Sequence, residues 1–164
     1  LSDIFAAVRN CAVPAVSVAR GAVFCKALGM LACSDFVVAE EKTRFCFSEV
    51  KLGLSPAVIS GFISLKIPDA FYRPLMLTAE TFTAEEARRI GLVQQVYREP
   101  LSLQDIVNRF AGNGPEAMKA TKKLLNDLAD GREAKTLCTK VIAERRTSAE
   151  GQERLKKFLD KVAT

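Results

Sequence analysis

The chain contains no histidine among its 164 residues. That absence removes His-based catalytic triads, His zinc sites and imidazole proton shuttles. Aromatic residues make up only 7%. Nucleic-acid binding asks for a clustered basic stripe with interleaved aromatics, and little of that is present. No apolar run approaches the roughly 20 residues of a bilayer-spanning helix. The first residues carry Asp3 and no basic stretch ahead of an apolar one, unlike a secretory signal. The five cysteines (Cys11, Cys25, Cys33, Cys46 and Cys138) are odd in number and form no CxxC pair. In apolar surroundings they read as reduced thiols of a bacterial cytoplasmic or mitochondrial matrix protein.

What remains is an ordinary globular mix, 49% apolar and 26% charged. The length suits one domain at roughly 150 residues per domain, enough to bury about two-thirds of the unfolded surface. Twenty-four basic and nineteen acidic residues give a net charge of +5. The excess is spread over doublets at Lys122-Lys123, Arg145-Arg146 and Lys156-Lys157. Solvated helix faces account for these; a phosphate-rich ligand such as a nucleotide is the sharper reading.

The pattern along the chain predicts mixed α/β structure over residues 14–97 and helices from 100 onward. The domain therefore divides into a core over 1–100 and a helical region over 101–164. Residues 2–11 read as a helix capped by Ser2, with Ile4, Phe5 and Val8 on one face. PAVSVA, from Pro14, reads as a strand buried on both sides. A turn at Arg20-Gly21 then leads into an apolar helix centred on Ala27–Cys33. Phe36–Ala39 and Thr43–Phe47 are extended. Ser48–Pro56 is irregular, punctuated by Gly53 and Pro56. Helices follow over Val58–Leu65 and from Pro68 to Leu77. Thr83-Ala84-Glu85-Glu86 is a capping box whose helix stops at Gly91, and Leu92–Val96 is the last strand. Later helices are expected over about 102–111, 115–129, 133–147 and 149–162, with Ser102 as a cap and Pro115 in a first turn.

Without histidine, acid–base chemistry falls to carboxylates, lysines and cysteines. Glu49 stands apart from the helix-face acids because FCFSEVKLGLSP sets it between apolar stretches. A carboxyl held among apolar neighbours has its charged form disfavoured, which suits proton transfer near neutral pH. The alternative is a loop-end carboxylate paired with Lys51 or Arg44. The turn RGAVFCKALG presents backbone N–H groups at a helix start, where an oxyanion could be held; a plain strand–turn–helix corner is the competing reading. Cys25 is a weaker nucleophile candidate, with only Lys26 and the helix start to activate it.

Three separated blocks resemble the crotonase (enoyl-CoA hydratase/isomerase) superfamily. PAVSVARGAVFCKALGMLACSDFVVAEEKTRFCFSEVKLGLSPAVIS resembles its strand, glycine-rich turn and buried helix, its "CD" strand start and its "F…E…LG…P" segment. TAETFTAEEARRIGLVQQV resembles the "TGE…EA…GLV" block, and SAEGQERLKKFLDK the C-terminal "EG…AFLEKR" helix. ALG followed by SEVKLGLSPAVIS most resembles the methylglutaconyl-CoA hydratase branch. The resemblance implies an α/β fold of stacked ββα turns, a crotonase-like superhelix truncated at its N-terminus, with a C-terminal helical region that drives homotrimers or homohexamers. It implies an acyl-CoA thioester as substrate, with no cofactor beyond the coenzyme A the substrate carries, and no metal. Glu49 matches a catalytic glutamate of the family. Lys26 falls where a glycine N–H forms half of the oxyanion hole, and Cys25 replaces a glycine beside it. Gly29 falls where many hydratases carry a second glutamate. Ala57 falls where an amide helps hold water. Phe158 and Lys161 match positions that approach the CoA nucleotide of a neighbouring subunit, although an amphipathic helix with Phe158 inward explains them as well.

Two departures set the expectations apart from a plain hydratase. The chain begins where the family is already under way, without the strands that bring the first oxyanion donor and most of the CoA loop. Lys26 also puts a long side chain where the family has none, and a buried ammonium without a partner is costly. The readings are therefore hydration of a branched 2-enoyl-CoA, a degenerate or truncated non-catalytic subunit of the same fold, and, lower, the RNA-binding role of one branch of the family. Arg9 is the one base of the first helix and gives RNA little to hold.

Overall fold

The computed structural model describes residues 1–98 and 100–162. Glu99, Ala163 and Thr164 lie outside the described residues, so the helical reading to 164 is followed to 162. The chain separates into two compact units, residues 1–11 with 15–101, and residues 12–14 with 102–164.

The first unit opens with α1 (Ser2–Asn10). Leu1, not Ser2, occupies its N-cap, and no side chain caps it. Phe5 is buried and Val8 packs against the core. Ile4 is 54% exposed and does not share that face. β1 (Val16–Ala19) pairs in parallel with β3 (Phe36–Glu40), and β3 pairs in parallel with β6 (Gln95–Tyr97). A second sheet joins β2 (Ala22–Phe24) to β4 (Arg44–Cys46) in parallel, and β4 to the short antiparallel β5 (Phe82–Thr83). The chain thus steps from the first sheet to the second twice, β1 to β2 and β3 to β4, and returns from β2 to β3 and from β5 to β6. Gly21 makes the first step with φ +68°, a backbone conformation that glycine adopts without steric cost. Its carbonyl accepts from Arg44 N–H at 2.9 Å, and the buried Thr43 hydroxyl donates to Ala19 O at 3.2 Å. These two bonds tie the corners together.

The strand over PAVSVA exists, but it is not buried on both sides. β1 is an outer strand of its sheet, and Val16 and Val18 are each 38% exposed. The central β3 carries the run Val37, Val38, Ala39 that is fully buried. Sequence patterning passes over β2 and β5 because strands of three and two residues are too short to display an alternation. The last strand is shorter and later than Leu92–Val96; Leu92 and Val93 are core residues before it begins.

The helices of this unit wall the sheets. α2 (Lys26–Cys33) packs on α1 and on α3 (Ala57–Ser64). Phe5 meets Phe62 edge-on at 5.6 Å, and Phe45 and Phe47 stack on Phe82 at 5.5 and 5.9 Å. Such ring pairs add about 0.5–1.5 kcal/mol each beyond area burial. α4 (Asp69–Thr78) and α5 (Ala84–Arg89) complete it. Thr83 Oγ1 accepts from Glu86 N–H as the capping box predicts, and Gly91 stops the segment at φ +89°.

The second unit is helical: α6 (Leu103–Ala111), α7 (Pro115–Ala129), α8 (Ala134–Thr147) and α9 (Ala149–Val162). Ser102 caps α6 through Asp105 N–H, and Pro115 begins α7, both as expected from the sequence. α7, α8 and α9 contact one another pairwise. Among the described residues no helix is long and apolar enough to cross a membrane.

Candidate active site

The segment read as irregular, Ser48–Pro56, contains one ordered turn. Glu49–Leu52 form a 3₁₀ helix closed by Gly53 at φ +69°. Gly53 N–H and Leu54 N–H return to the carbonyls of Val50 and Glu49 at 3.1 Å each. This turn follows β4 directly, so the parallel pairing of β2 and β4 decides what faces it. Phe24 lies opposite Cys46, and Cys25 N–H donates to Cys46 O at 3.1 Å. Cys25 Sγ and Ser48 Oγ then share a hydrogen bond at 2.8 Å. The residue before Glu49 is therefore bound to the residue before Lys26.

Glu49 is half-buried. Its Oε2 is shielded from solvent and has no hydrogen-bond partner. The pairing with Arg44 considered from the sequence does not form: Arg44 spends its guanidinium on the carbonyls of Lys42 and Thr43. Lys51 is exposed on the same short turn and forms no salt bridge to Glu49 either. A buried carboxylate oxygen without a partner is expensive in a folded protein and calls for an explanation.

Lys26 is the first residue of α2, so its N–H is one of the amides a helix cannot satisfy itself. Its side chain is exposed. The cost expected of a buried ammonium does not arise, because the chain turns outward at this position. Cys25 precedes it at φ 51°, ψ −119°. A non-glycine residue there carries about 1–3 kcal/mol of strain, which is the conformational reason for the resemblance to a glycine position.

Gly29, one turn further along α2, is sealed. A Cβ at this position would meet the Phe5 ring at 2.7 and 2.8 Å and Ile59 Cγ2 at 2.7 Å. No glutamate fits at 29 while α1 and α3 hold their places.

Ala57 begins α3 and is exposed. Between Glu49 and Ala57, the segment 50–56 forms one wall of a cavity of about 470 Å³, contributed by Val50, Leu54 and Pro56. Tyr72, Arg73, Met76 and Leu77 of α4 line it as well, and it is open to solvent. Sequence reasoning missed this cavity. Its signal was the apolar i, i+4 pairing in FYRPLML, which reads equally well as core.

In the second unit, Phe158 is 61% exposed, not inward. It lines a cavity of about 270 Å³ with Arg154, Lys157 and Lys161, all on α9. The alternative of a plain core-facing Phe158 is thereby overturned within this chain.

Parallel strands that alternate between two sheets, each step feeding a helix or turn, define an α/β protein built of stacked turns. The chain belongs to the enoyl-CoA hydratase/isomerase family, whose sequence profile matches residues 1–163. An enoyl-CoA hydratase of Alternaria alternata is 31% identical over 128 residues, 76% of this chain and 43% of that protein. The mitochondrial enoyl-CoA hydratase domain-containing protein 3 of Rattus norvegicus is 29% identical over 172 residues, 98% of this chain and 55% of that protein. The crystal structure of an enoyl-CoA hydratase from Shewanella pealeana superimposes with a TM-score of 0.91 at 34% identity, covering 98% of this chain and 62% of that one. The chain spans about half the length of the curated relatives it matches.

Proposed function

We propose that this chain is part of an enzyme that adds water to the double bond of a 2-enoyl-CoA thioester. The observation that carries the proposal is the shielded, partnerless Oε2 of Glu49, one residue from the Ser48–Cys25 bond that ties its turn to the start of α2. A carboxylate so placed has a free acceptor for a proton and few competing partners. In the reaction, Glu49 orients water and takes its proton as oxygen bonds to C3, then returns a proton to C2. The Lys26 N–H, with a second donor from outside this sequence, holds the thioester oxygen as it becomes an enolate. Ala57 N–H steadies the water. Phe158 and Lys161, supplied by a neighbouring copy in a trimer or hexamer, stand by the CoA nucleotide. No metal or redox group takes part. The mitochondrial matrix or the bacterial cytoplasm is the matching compartment, and the methylglutaconyl likeness makes a branched acyl group the first to assay.

The test is enoyl thioester hydration by the protein at its full length in the source, with Glu49→Gln beside it. The substitution should lower kcat by 100-fold or more, within the range general acid–base groups contribute. Unchanged turnover removes Glu49 from the mechanism.

A second reading, an acyl-CoA-binding subunit without catalysis, is favoured by the sealed Gly29 and the strained Cys25 at a glycine position. Acyl-CoA binding with no hydration in the wild-type protein would establish it.

A further inference from the structure

The base and the oxyanion donor of the proposed reaction stand on segments that diverge. β2 and β4 pair as far as Phe24 and Cys46, and one more backbone bond follows, from Cys25 N–H to Cys46 O at 3.1 Å. Beyond it the two backbones part. Cys25 turns into α2 at φ 51°, ψ −119°, and Ser48 turns into the 3₁₀ helix at φ −86°, ψ 2°. Across this divergence Cys25 Sγ and Ser48 Oγ share their hydrogen bond at 2.8 Å. We propose that Ser48 and Cys25 are positioning residues, whose side-chain bond holds the Glu49 carboxylate and the Lys26 N–H at one separation and orientation. The proposal rests on the hydration reading above and adds to it the contact that sets its geometry.

Ser48 occupies the N-cap of the 3₁₀ helix, yet its side chain makes no capping bond there. A serine at an N-cap ordinarily accepts from an N–H of its own helix; this hydroxyl is directed across to Cys25 instead. Cys25 holds a backbone conformation that favours glycine, and a glycine would have no side chain to offer Ser48. Each partner is also anchored by the core. Phe47, next to Ser48, is fully buried and stacks on Phe82 at 5.9 Å. Cys25 O accepts at 3.0 Å from the N–H of Leu28, itself fully buried. With both backbones anchored, one side-chain bond is enough to fix how the following residue on each segment is aimed, and those residues are Glu49 and Lys26. Binding a thioester needs each group only roughly in place. Adding water while the enolate charge forms needs both in register, so loosening the bond costs turnover more than affinity.

The test is hydration of crotonyl-CoA by the protein at its full length in the source, beside Ser48→Ala, Cys25→Ala and the double variant. Each single variant should lower kcat by about 10- to 100-fold, the scale of a misplacement near 1 Å, with a smaller change in KM. The double variant should lose no more than the worse single variant, because both remove the same bond. Cys25→Ser, which keeps a hydrogen-bonding partner for Ser48, should recover most of the turnover. In isotope-labelled protein, Ser48→Ala should shift the amide resonance of Lys26, and Cys25→Ala that of Glu49. Wild-type turnover in both single variants, losses that multiply in the double variant, or a Lys26 amide unmoved by Ser48→Ala overturns the proposal. Should Ser48→Ala slow hydration while Glu49→Gln does not, the assignment of the base fails and the pair acts through the Lys26 N–H alone. Should Glu49→Gln abolish hydration while both alanine variants leave it intact, the hydration reading stands and the positioning role falls. Should the wild-type protein leave crotonyl-CoA unchanged, hydration of this probe fails and the two amide shifts decide whether the corners are coupled.

Discussion

At Gly29 the absence of a side chain is what lets three helices meet. The Phe5 ring and Ile59 already occupy the space a Cβ needs, and both are among the most buried side chains of the molecule. Gly29→Ala gains helix propensity of at most about 1 kcal/mol but overpacks a filled site, at about 1–3 kcal/mol. A net loss of up to about 3 kcal/mol is expected in urea titration, and Gly29→Glu should not fold. Lys66 shows the same economy of space with charge. Its Nζ donates to Leu31 O at 2.9 Å and Ser34 O at 2.7 Å, closing the C-terminal end of α2. Burial pulls its pKa down to about 8, with Asp35 and Cys33 opposing. Burial pushes the Cys33 thiol up to about 11, against Arg9 and Lys66. The unfolded lysine holds its proton to about 10.5, so above pH 8 the unfolded state binds more protons and stability rises with pH. The cysteine acts oppositely from about 9 to 11, where the folded state holds the extra proton. Stability should therefore climb by about 0.5–1 kcal/mol from pH 8 to 9 and then level off. Urea midpoints across that range check this, and Lys66→Met should abolish the climb.

Among the elements, α7 is capped from outside. Its N-cap is Gly114, which has no side chain to offer. Glu150, in the first turn of α9, accepts from Glu116 N–H at 3.1 Å and Ala117 N–H at 2.8 Å and pairs with Arg145 Nη2 at 2.8 Å. A Cβ at 114 would meet Glu150 Cδ at 2.9 Å, so the bare backbone is what admits the foreign carboxylate. The carboxylate also faces the positive end of the α7 dipole. Glu150→Gln keeps the shape and loses the charge, at about 1–2 kcal/mol. Hydrogen exchange at the amides of Glu116 and Ala117 should quicken while that of the α7 centre holds. No capping motif within α7 announces this arrangement, because the acceptor lies 34 positions later. The local caps at Thr83 and Ser102, by contrast, are legible because donor and acceptor are three residues apart.

At the scale of the molecule, both sheets end in strands with a single neighbour. β1 closes one and β2 the other. Val16, Val18 and Phe24 on these edge strands are between 38% and 42% exposed. Apolar edge strands without a charge to deter pairing associate with other chains. Where these edges stay uncovered, the chain should self-associate with rising concentration in sedimentation velocity. Val18→Lys should return it toward monomer with little change in folding stability, and equal association in the variant would place the contact elsewhere.

Helix positions, the order of α/β and helical regions, and the singular setting of Glu49 were readable from sequence because they rest on spacings of a few residues. The family was readable because three motif blocks keep their order. The tertiary structure alone decided that β1 stands at an edge, that Lys26 turns outward, and that position 29 has no room for a carboxylate. It also brought Cys25 to Ser48 across 23 positions and set segment 50–56 against α4. Each of these depends on which surfaces meet once strands pair, and periodicity along one segment carries no information about the segment that will cover it.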